Sequence, residues 1–547
     1  MDFGVRKFRE LLFVATCGMG AEFFLALADT VIAGNIVGEV ALGGINLLQP
    51  IFNFVQFTAA LIGTGTAIRY ALEVGRLDSR RASEVFSQGF WTILIFGVLL
   101  LITFLLGRDI FFGFIGADAE MTAQAKTYWN WYAPCTLLLP MTLYLIALVY
   151  ADGDMLACAF GYGSLILGNI VASYFLCRVY GVAGCAMGTV IGNVLAVISL
   201  SSHFLRKVNT LKLMRHFRFQ DLYLICKSSF ADASVSLCWS LLFFLLANLV
   251  VEEFGSKFLP VLSVVLVCIN LTLLFNGVSA AAQPIVGIYA GERNARGVRA
   301  VMNSAMKVAF VEGIIAALFF ACFPQLAVRL VGIDDPELVP LALKAVRWVS
   351  IGFLGAPFVF LFNSYYLFVE RYALAVALTF VADIVVYAAL AIPAAHFFGM
   401  DGLWVALGIS PVVAVVLYAL FILFRYGPER FPLLLSRSRE RHQFAVGFTV
   451  TTRNVRIAAE ETSLALEEAG YTGFVPEMRR IVLNLFRQIR DLNADHRVHA
   501  EIGFDLNDGV KLCLRDDGRI ADLSHKVVRA DGRHFVTMGY NRYLFEL

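Results

Sequence analysis

The sequence is short of charge. Only 16% of its 547 residues are Asp, Glu, Lys or Arg, and 59% are hydrophobic. A soluble protein of ordinary composition carries about 25% charge. The net charge of +2 provides no broad basic field to draw nucleic acid. None of the ten cysteines forms a CxxC pair, and most lie inside apolar runs. They read as inert buried thiols, not as metal ligands or disulfides. No GxxxxGK[ST] stretch occurs, which argues against a primary ATP-driven pump. Met1 to Glu10 is charged and leads straight into a long apolar stretch with no small-residue cleavage site, so no cleaved leader is expected.

What the chain has instead is apolar length. Crossing a bilayer takes about 20 mostly apolar residues. Such stretches lie near 10–33, 42–67, 86–107, 128–150, 155–177 and 182–205, and again near 229–251, 259–289, 303–324, 345–369, 373–397 and 402–425. The expectation is an all-α polytopic membrane protein with twelve transmembrane helices as two six-helix bundles, followed by a small cytoplasmic α+β domain. The divisions are 1–205 (first bundle), 206–228 (linker), 229–425 (second bundle), 426–442 (basic linker) and 443–547 (soluble domain). With the N-terminus inside, 23 Lys and Arg fall in cytoplasmic segments and 7 in external ones. Basic residues stay on the cytoplasmic side, so both termini are placed there, in the cell inner membrane.

The two sets of six echo each other. GTAIRYALEVGRLDSRRASEV after the second stretch is answered by QPIVGIYAGERNARGVRAV after the eighth, with Gly75 and Gly291 in register. GNIV…GVAGCAMGTVIG is answered by ADIV…GMDGLWVALGIS, which pairs Asn169 with Asp383. Repeats of like orientation enclose a central cavity between them.

An acid at the bilayer centre costs about 2.5–3.5 kcal/mol, so it faces a cavity or a partner. Asp383 falls close to the midplane and is the strongest candidate on physical grounds; Asp29 lies nearer the outer end of the first stretch. Asn46, Gln49, Asn169, Asn248, Gln283 and Tyr365 are uncharged groups able to line a path, although such groups more often serve helix packing.

Over residues 1–425 these features resemble the multidrug-and-toxin-extrusion (MATE) family. Asp29-Thr30 with Ala33-Gly34 looks like its first-helix motif. Ala282-Gln283-Pro284-Ile285 with Gly291 and Asn294 looks like the end of its eighth helix. Gly181-Val182-Ala183-Gly184 with Gly188-Thr189 looks like its fifth-to-sixth helix boundary. One departure is plain: many bacterial members carry an acid shortly after the fifth-helix Asn, whereas here Asn169 is followed by Ala172 and Ser173. The resemblance implies a non-enzymatic exporter of cationic or amphipathic small molecules, coupled to proton or sodium entry with no bound cofactor, and it promotes Asp29 to first-ranked coupling residue. A flippase for an amphipathic or lipid-linked substrate, or a sensor signalling through the tail, are the alternative readings. In the tail, Asp516-Asp517-Gly518 and Gly539-Tyr540-Asn541-Arg542 resemble the histidine-kinase/anti-sigma ATPase fold. That marks Asp517 and Gly518 as nucleotide-site positions, in a domain lacking the family's Mg²⁺-binding Glu/Asn helix and its Gly-rich lid. A degenerate regulatory module, with a cytoplasmic protein partner or a ligand, is expected there.

Overall fold

The structure is a computed structural model; it describes residues 3–32, 36–38, 44–45, 47–114, 119–206, 209–254, 258–331, 335–435, 440, 442–507, 509–519, 533–537 and 540–546. The first part is helical throughout: α1 (Phe3–Ile32), α2 (Gln49–Gly75), α3 (Ser79–Phe114), α4 (Ala119–Tyr132), α5 (Cys135–Ala151), α6 (Met155–Tyr180) and α7 (Val182–Ser201). After an extended linker come α8 (Phe219–Phe254), α9 (Leu259–Asn270), α10 (Asn276–Gly291), α11 (Ala295–Cys322), α12 (Pro324–Val331), α13 (Leu338–Val349), α14 (Ala356–Phe368), α15 (Tyr372–Phe380) and α16 (Val386–Tyr426).

The expected twelve crossings in two six-helix bundles are not what the described residues show. Seven helical stretches are long and apolar enough to cross a membrane, or eight if α4 and α5, bent by 54° at their junction, form one crossing. Several apolar runs fail because the backbone breaks them up. Helix α9 has 12 residues, which at 1.5 Å each reach only about 18 Å. Helix α15 stops after nine residues at a π-helical turn, Val381–Val385. Helix α16 absorbs two of the expected segments and folds back at Gly399 (φ 61°). In α1 and α8 a stretch of side chains lies outside the described ones. The expectation of unpaired thiols also fails at one place: Cys177 and Cys185 are joined where α6 turns into α7.

The internal repeat is written in the backbone. Left-handed residues occur at Leu77 and Arg293, at Gly153 and Glu370, and at Gly181 and Gly399, pairs 216, 217 and 218 residues apart. Leu77, Arg293 and Glu370 are not glycines, so each costs conformational energy and marks a tight turn that both repeats kept. The residue after the first pair caps the next helix in both copies: Asp78 accepts from the Arg81 amide at 2.8 Å, and Asn294 from the Gly297 amide at 2.8 Å.

Small residues let the repeats approach each other. A Cβ on Gly65 of α2 would lie 2.4 Å from the Ile225 carbonyl oxygen of α8, and one on Gly277 of α10 would lie 2.7 Å from Thr16 of α1. At the ends of α2 and α10 the contact is reciprocal. A Cβ on Gly75 would meet the Ile288 oxygen at 2.3 Å, and a Cβ on Gly291 would meet the Leu72 oxygen at 2.3 Å. The repeats are thus sealed against each other at the face where α1 starts and α2 and α10 end.

The same face carries the C-terminal domain. Strands β1 (Gln443–Thr449), β2 (His499–Asp505), β3 (Lys511–Asp516), β4 (Arg533–Thr537) and β5 (Tyr540–Glu546) form an antiparallel sheet in the order β1-β2-β3-β5-β4. Helices α17 (Thr452–Glu468) and α18 (Val475–Leu492) lie between β1 and β2 in the chain. Strand alternation sends Ile502, Phe504, Leu512, Leu514 and Tyr543 into a core with Ile481, Leu485 and Phe486. It sends Glu501, Arg515 and Arg542 to the other face. An α+β domain of this size leaves that face to water, yet all three are buried here, against the helical part.

Candidate functional site

The second repeat contains a cavity of about 70 Å³, bordered by α8, α9, α13, α14, α15, α16 and the tight helical turns next to them. A water needs about 10–15 Å³ by this measure, so there is room for several. The walls are mostly apolar, with Thr272, Asn363, Thr379, Tyr387 and Ser410 supplying the polar groups. Thr379 and Ser410 return their hydroxyls to carbonyls of their own helices, Ala375 and Leu407. Asn363 and Tyr387, 4% and 2% exposed, differ. The Asn363 Oδ1 and the Tyr387 hydroxyl have no hydrogen-bond partner among the described residues. A buried polar atom left this way costs about 1–3 kcal/mol, so both groups are open to a water or a guest in the cavity beside them. The π-helical turn carrying Asp383 borders the cavity through Ala382. Such turns insert one residue into a helix and concentrate at functional sites. The side chain of Asp383 lies outside the described ones.

The corresponding region of the first repeat is packed. Asn169, fully buried, donates from Nδ2 to the Thr189 Oγ1 at 3.4 Å and accepts from the Ser173 hydroxyl at 3.2 Å. Gly188 and Gly192 allow this closeness: a Cβ on the first would sit 2.0 Å from the Ser173 Oγ, and one on the second 2.9 Å from the Asn169 Cβ. One turn further on, Asn193 donates to the Thr189 carbonyl at 2.9 Å and keeps its own buried Oδ1 unpartnered among the described residues.

The other expected site residues are scattered. Gln49 is exposed at the start of α2 and donates to Asn53 at 3.0 Å. Gln283 donates to Ser364 at 3.2 Å, joining α10 to α14. Tyr365 donates to the Leu433 carbonyl at 2.5 Å and Tyr366 to that of Pro432 at 2.8 Å, and neither lines the cavity above. Asp29 lies on α1 with its side chain outside the described ones; Asn248 on α8 is in the same position, and Asn46 is outside them entirely. In the C-terminal domain Asp517 accepts from the His499 amide at 2.7 Å and pairs with Arg6 of α1 at 3.1 Å. Gly518 donates its amide to Asp516 and accepts from Asn541. These two positions are thus engaged with protein.

Tyr387 was missed by sequence reasoning. It stands four residues after Asp383 in an otherwise apolar run, so a polar hydroxyl close in sequence to the acid was the available signal.

The MatE family model matches the chain twice, over residues 16–175 and 233–392. No curated protein matches it. Among solved structures, a crystal structure of MATE in complex with MaL6 superposes with a TM-score of 0.72 at 22% identity, covering 79% of this chain and 97% of that one. An outward-facing multidrug resistance MATE family transporter of the MOP superfamily gives the same values. A MOP superfamily transporter from Pyrococcus furiosus, described as having a binding pocket of reverse polarity, gives 0.71 at 22% identity with the same coverage.

Proposed function

The chain belongs to the MatE family of secondary active small-molecule transporters, and from that footing we propose that it exports cationic or amphipathic compounds in exchange for protons or sodium ions. Both termini and the C-terminal domain face the cytoplasm in this reading, since the domain-bearing face holds the excess of Lys and Arg. The supporting observation is the cavity beneath the π-helical turn of Asp383, with its two buried, unpartnered polar groups Asn363 and Tyr387. Both groups carry that burial penalty until an ion or a polar substrate atom supplies the missing partner.

The exchange runs through shared occupancy. A carboxylate at Asp29 or Asp383 holds a cation while ionised; taking up a proton or a metal ion cancels its charge and releases the cargo. Asn46, Gln49 and Asn248 supply neutral oxygens and amides along the route, while Asn169 and Gln283 hold together the helices that form it. In this reading the seal of α1 and α2 on α10 and α8 is the inward-closed state. Residues 443–547 form an accessory regulatory module, a degenerate relative of the histidine-kinase type ATPase domain.

The test is gradient-driven flux of a cationic dye in proteoliposomes, with a proton and a sodium gradient imposed separately. Asp29→Asn is expected to abolish coupled flux while the protein stays inserted. Wild-type rates from that variant would remove Asp29 from the mechanism, and no gradient-driven flux from wild type would remove the exporter reading.

A further inference from the structure

The sheet face that packs on the helices carries a buried ion network joining three parts of the chain. Arg542 of β5 donates to the carbonyls of Val74 (3.1 Å) and Gly75 (3.5 Å), the last two residues of α2. The same guanidinium pairs with Glu292, the residue that follows α10. Arg515 of β3 pairs with Glu292 and Glu501 and lies 4.9 Å from the centre of the Tyr289 ring. Arg515, Arg542 and Glu501 are each at most 2% exposed.

This placement answers an electrostatic problem. Helices α2 and α10 end against each other at Gly75 and Gly291, which brings two helix C-termini, each with a partial negative charge, to one point. Glu292 adds a full negative charge there. Bringing the ends together is unfavourable unless cations sit between them, and Arg542 and Arg515 are those cations. Val74 and Gly75 belong to the first repeat and Glu292 to the second. If the repeats part at this face, Arg542 loses one side or the other and a buried charge is left without its partner.

The surrounding contacts follow the same pattern. The first repeat is held through the Phe3 amide on Glu501 (3.2 Å), the Phe3 ring edge-on to Tyr540 (5.1 Å) and Arg6 on Asp517. The second is held through Arg299 on Glu440 (2.7 Å) and Gln443 on the Arg293 carbonyl (2.9 Å).

We infer that Arg542 and Arg515 are positioning residues of the transport cycle: they brace the ends of α2 and α10 together, so the C-terminal domain sets how often the domain-bearing face opens. The inference rests on the transporter reading for its functional consequence, but not for its structural one. The brace acts on closure, not on cargo, so its loss moves the open-to-closed ratio and leaves selectivity among substrates unchanged.

The experiment uses the full chain in nanodiscs, with the exposed thiols Cys17 and Cys322 changed to serine and spin labels at Arg80→Cys and Asn303→Cys, one exposed site on each repeat. Pulsed dipolar spectroscopy reads the distance distribution. Wild type is expected to show one dominant short distance. R542Q should raise the longer-distance population by about tenfold or more, because a buried charge network loses a member; R542K should restore part of it. R515Q, which breaks the other bridge to Glu292, should shift the same population in the same direction, and hydrogen exchange of the β3 and β5 amides checks that the domain stays folded in both variants. Unchanged distances in both variants overturn the inference. Dye flux is measured on the same variants. Absent flux in all of them with shifted distances removes the exporter reading and leaves the brace standing. Normal flux with unshifted distances removes the brace and leaves the exporter.

Discussion

Replacing Gly75 by alanine puts the seal between the repeats to a direct test. The new methyl would lie 2.3 Å from the Ile288 carbonyl oxygen and 2.8 Å from the Gly291 Cα, where ordinary contact begins near 3.4 Å. The shortfall is about 1 Å. Both neighbours are backbone, so no side chain can rotate aside, and the helix ends must separate. Overpacking of this kind costs about 1–3 kcal/mol, and the cost falls only on the state in which α2 and α10 touch. Gly75 is the last residue of its helix, where alanine's intrinsic advantage over glycine is at most the interior value of about 1 kcal/mol. That gain is present in the open and closed states alike and cancels from their ratio. The expected result is therefore a small change in melting temperature with a large conformational change: the closed-to-open ratio falls by about 5- to 150-fold. The dipolar distance measurement described above reads it. Gly163→Ala is the control, since nothing lies within 4 Å of a Cβ there, and it should leave the distribution alone. A Gly75→Ala protein with the wild-type distribution would show that the contact does not govern closure.

At the cavity, Tyr387→Phe removes a buried hydroxyl that has no partner among the described residues. It should leave the melting temperature level or raise it, the released penalty being about 1–3 kcal/mol, while gradient-driven flux loses apparent affinity for the coupling ion; a fall in stability would mean the hydroxyl is bonded. Tyr365→Phe, by contrast, deletes a made hydrogen bond to Leu433 and should cost about 1 kcal/mol, read as lower thermal stability with unchanged ion dependence. In the C-terminal domain, burial pushes the Asp516 carboxyl up to about 6, against a bonded Asn541 amide and the Gly518 amide that pull it down and a neighbouring Asp517 that pushes it up. The folded state then binds this proton more tightly than the unfolded one, so the group gains stability as pH falls through 6 towards its unfolded value. Near pH 7 it destabilises by an amount on the order of 3 kcal/mol. His499 and His534, both lowered by burial, act in the opposite sense, so the readout is the difference between wild type and Asp516→Asn. Hydrogen exchange of the β3 and β5 amides in the whole protein should favour the variant at pH 7.5 and show parity near pH 4; a constant difference across that range would refute the assignment.

The repeat and the helical character were legible because they follow from local rules. Apolar length gives helices, and left-handed turns recur where the loops recur, at Leu77 and Arg293. The number of crossings was misjudged because hydropathy cannot see where a helix stops. Nothing apolar distinguishes α9 from a full crossing, and the π-helical turn at Val381–Val385 interrupts an unbroken apolar run. For site residues, sequence identified chemistry without placement. Asn169 and Gln283 are each engaged in helix-to-helix hydrogen bonds, and Tyr365 faces the linker after α16, which sequence gave no reason to bring near it. The ion network of Glu292, Arg515 and Arg542 was hidden for a simpler reason: its members are 223 and 250 positions apart from Glu292 along the chain, and a charged residue on a strand ordinarily faces water.

The mutual contact of Gly75 and Gly291 also constrains how this sequence can drift. Each glycine is held small by the backbone of the opposite copy, and both by the same spacing. Once one is enlarged and the helix ends have moved apart, enlarging the other meets less resistance. Two harmful substitutions together should then cost less than the sum of each alone. Lineages in which the first glycine has been lost are where the second would be expected to follow, so epistasis at this pair is a record of whether the two ends still meet.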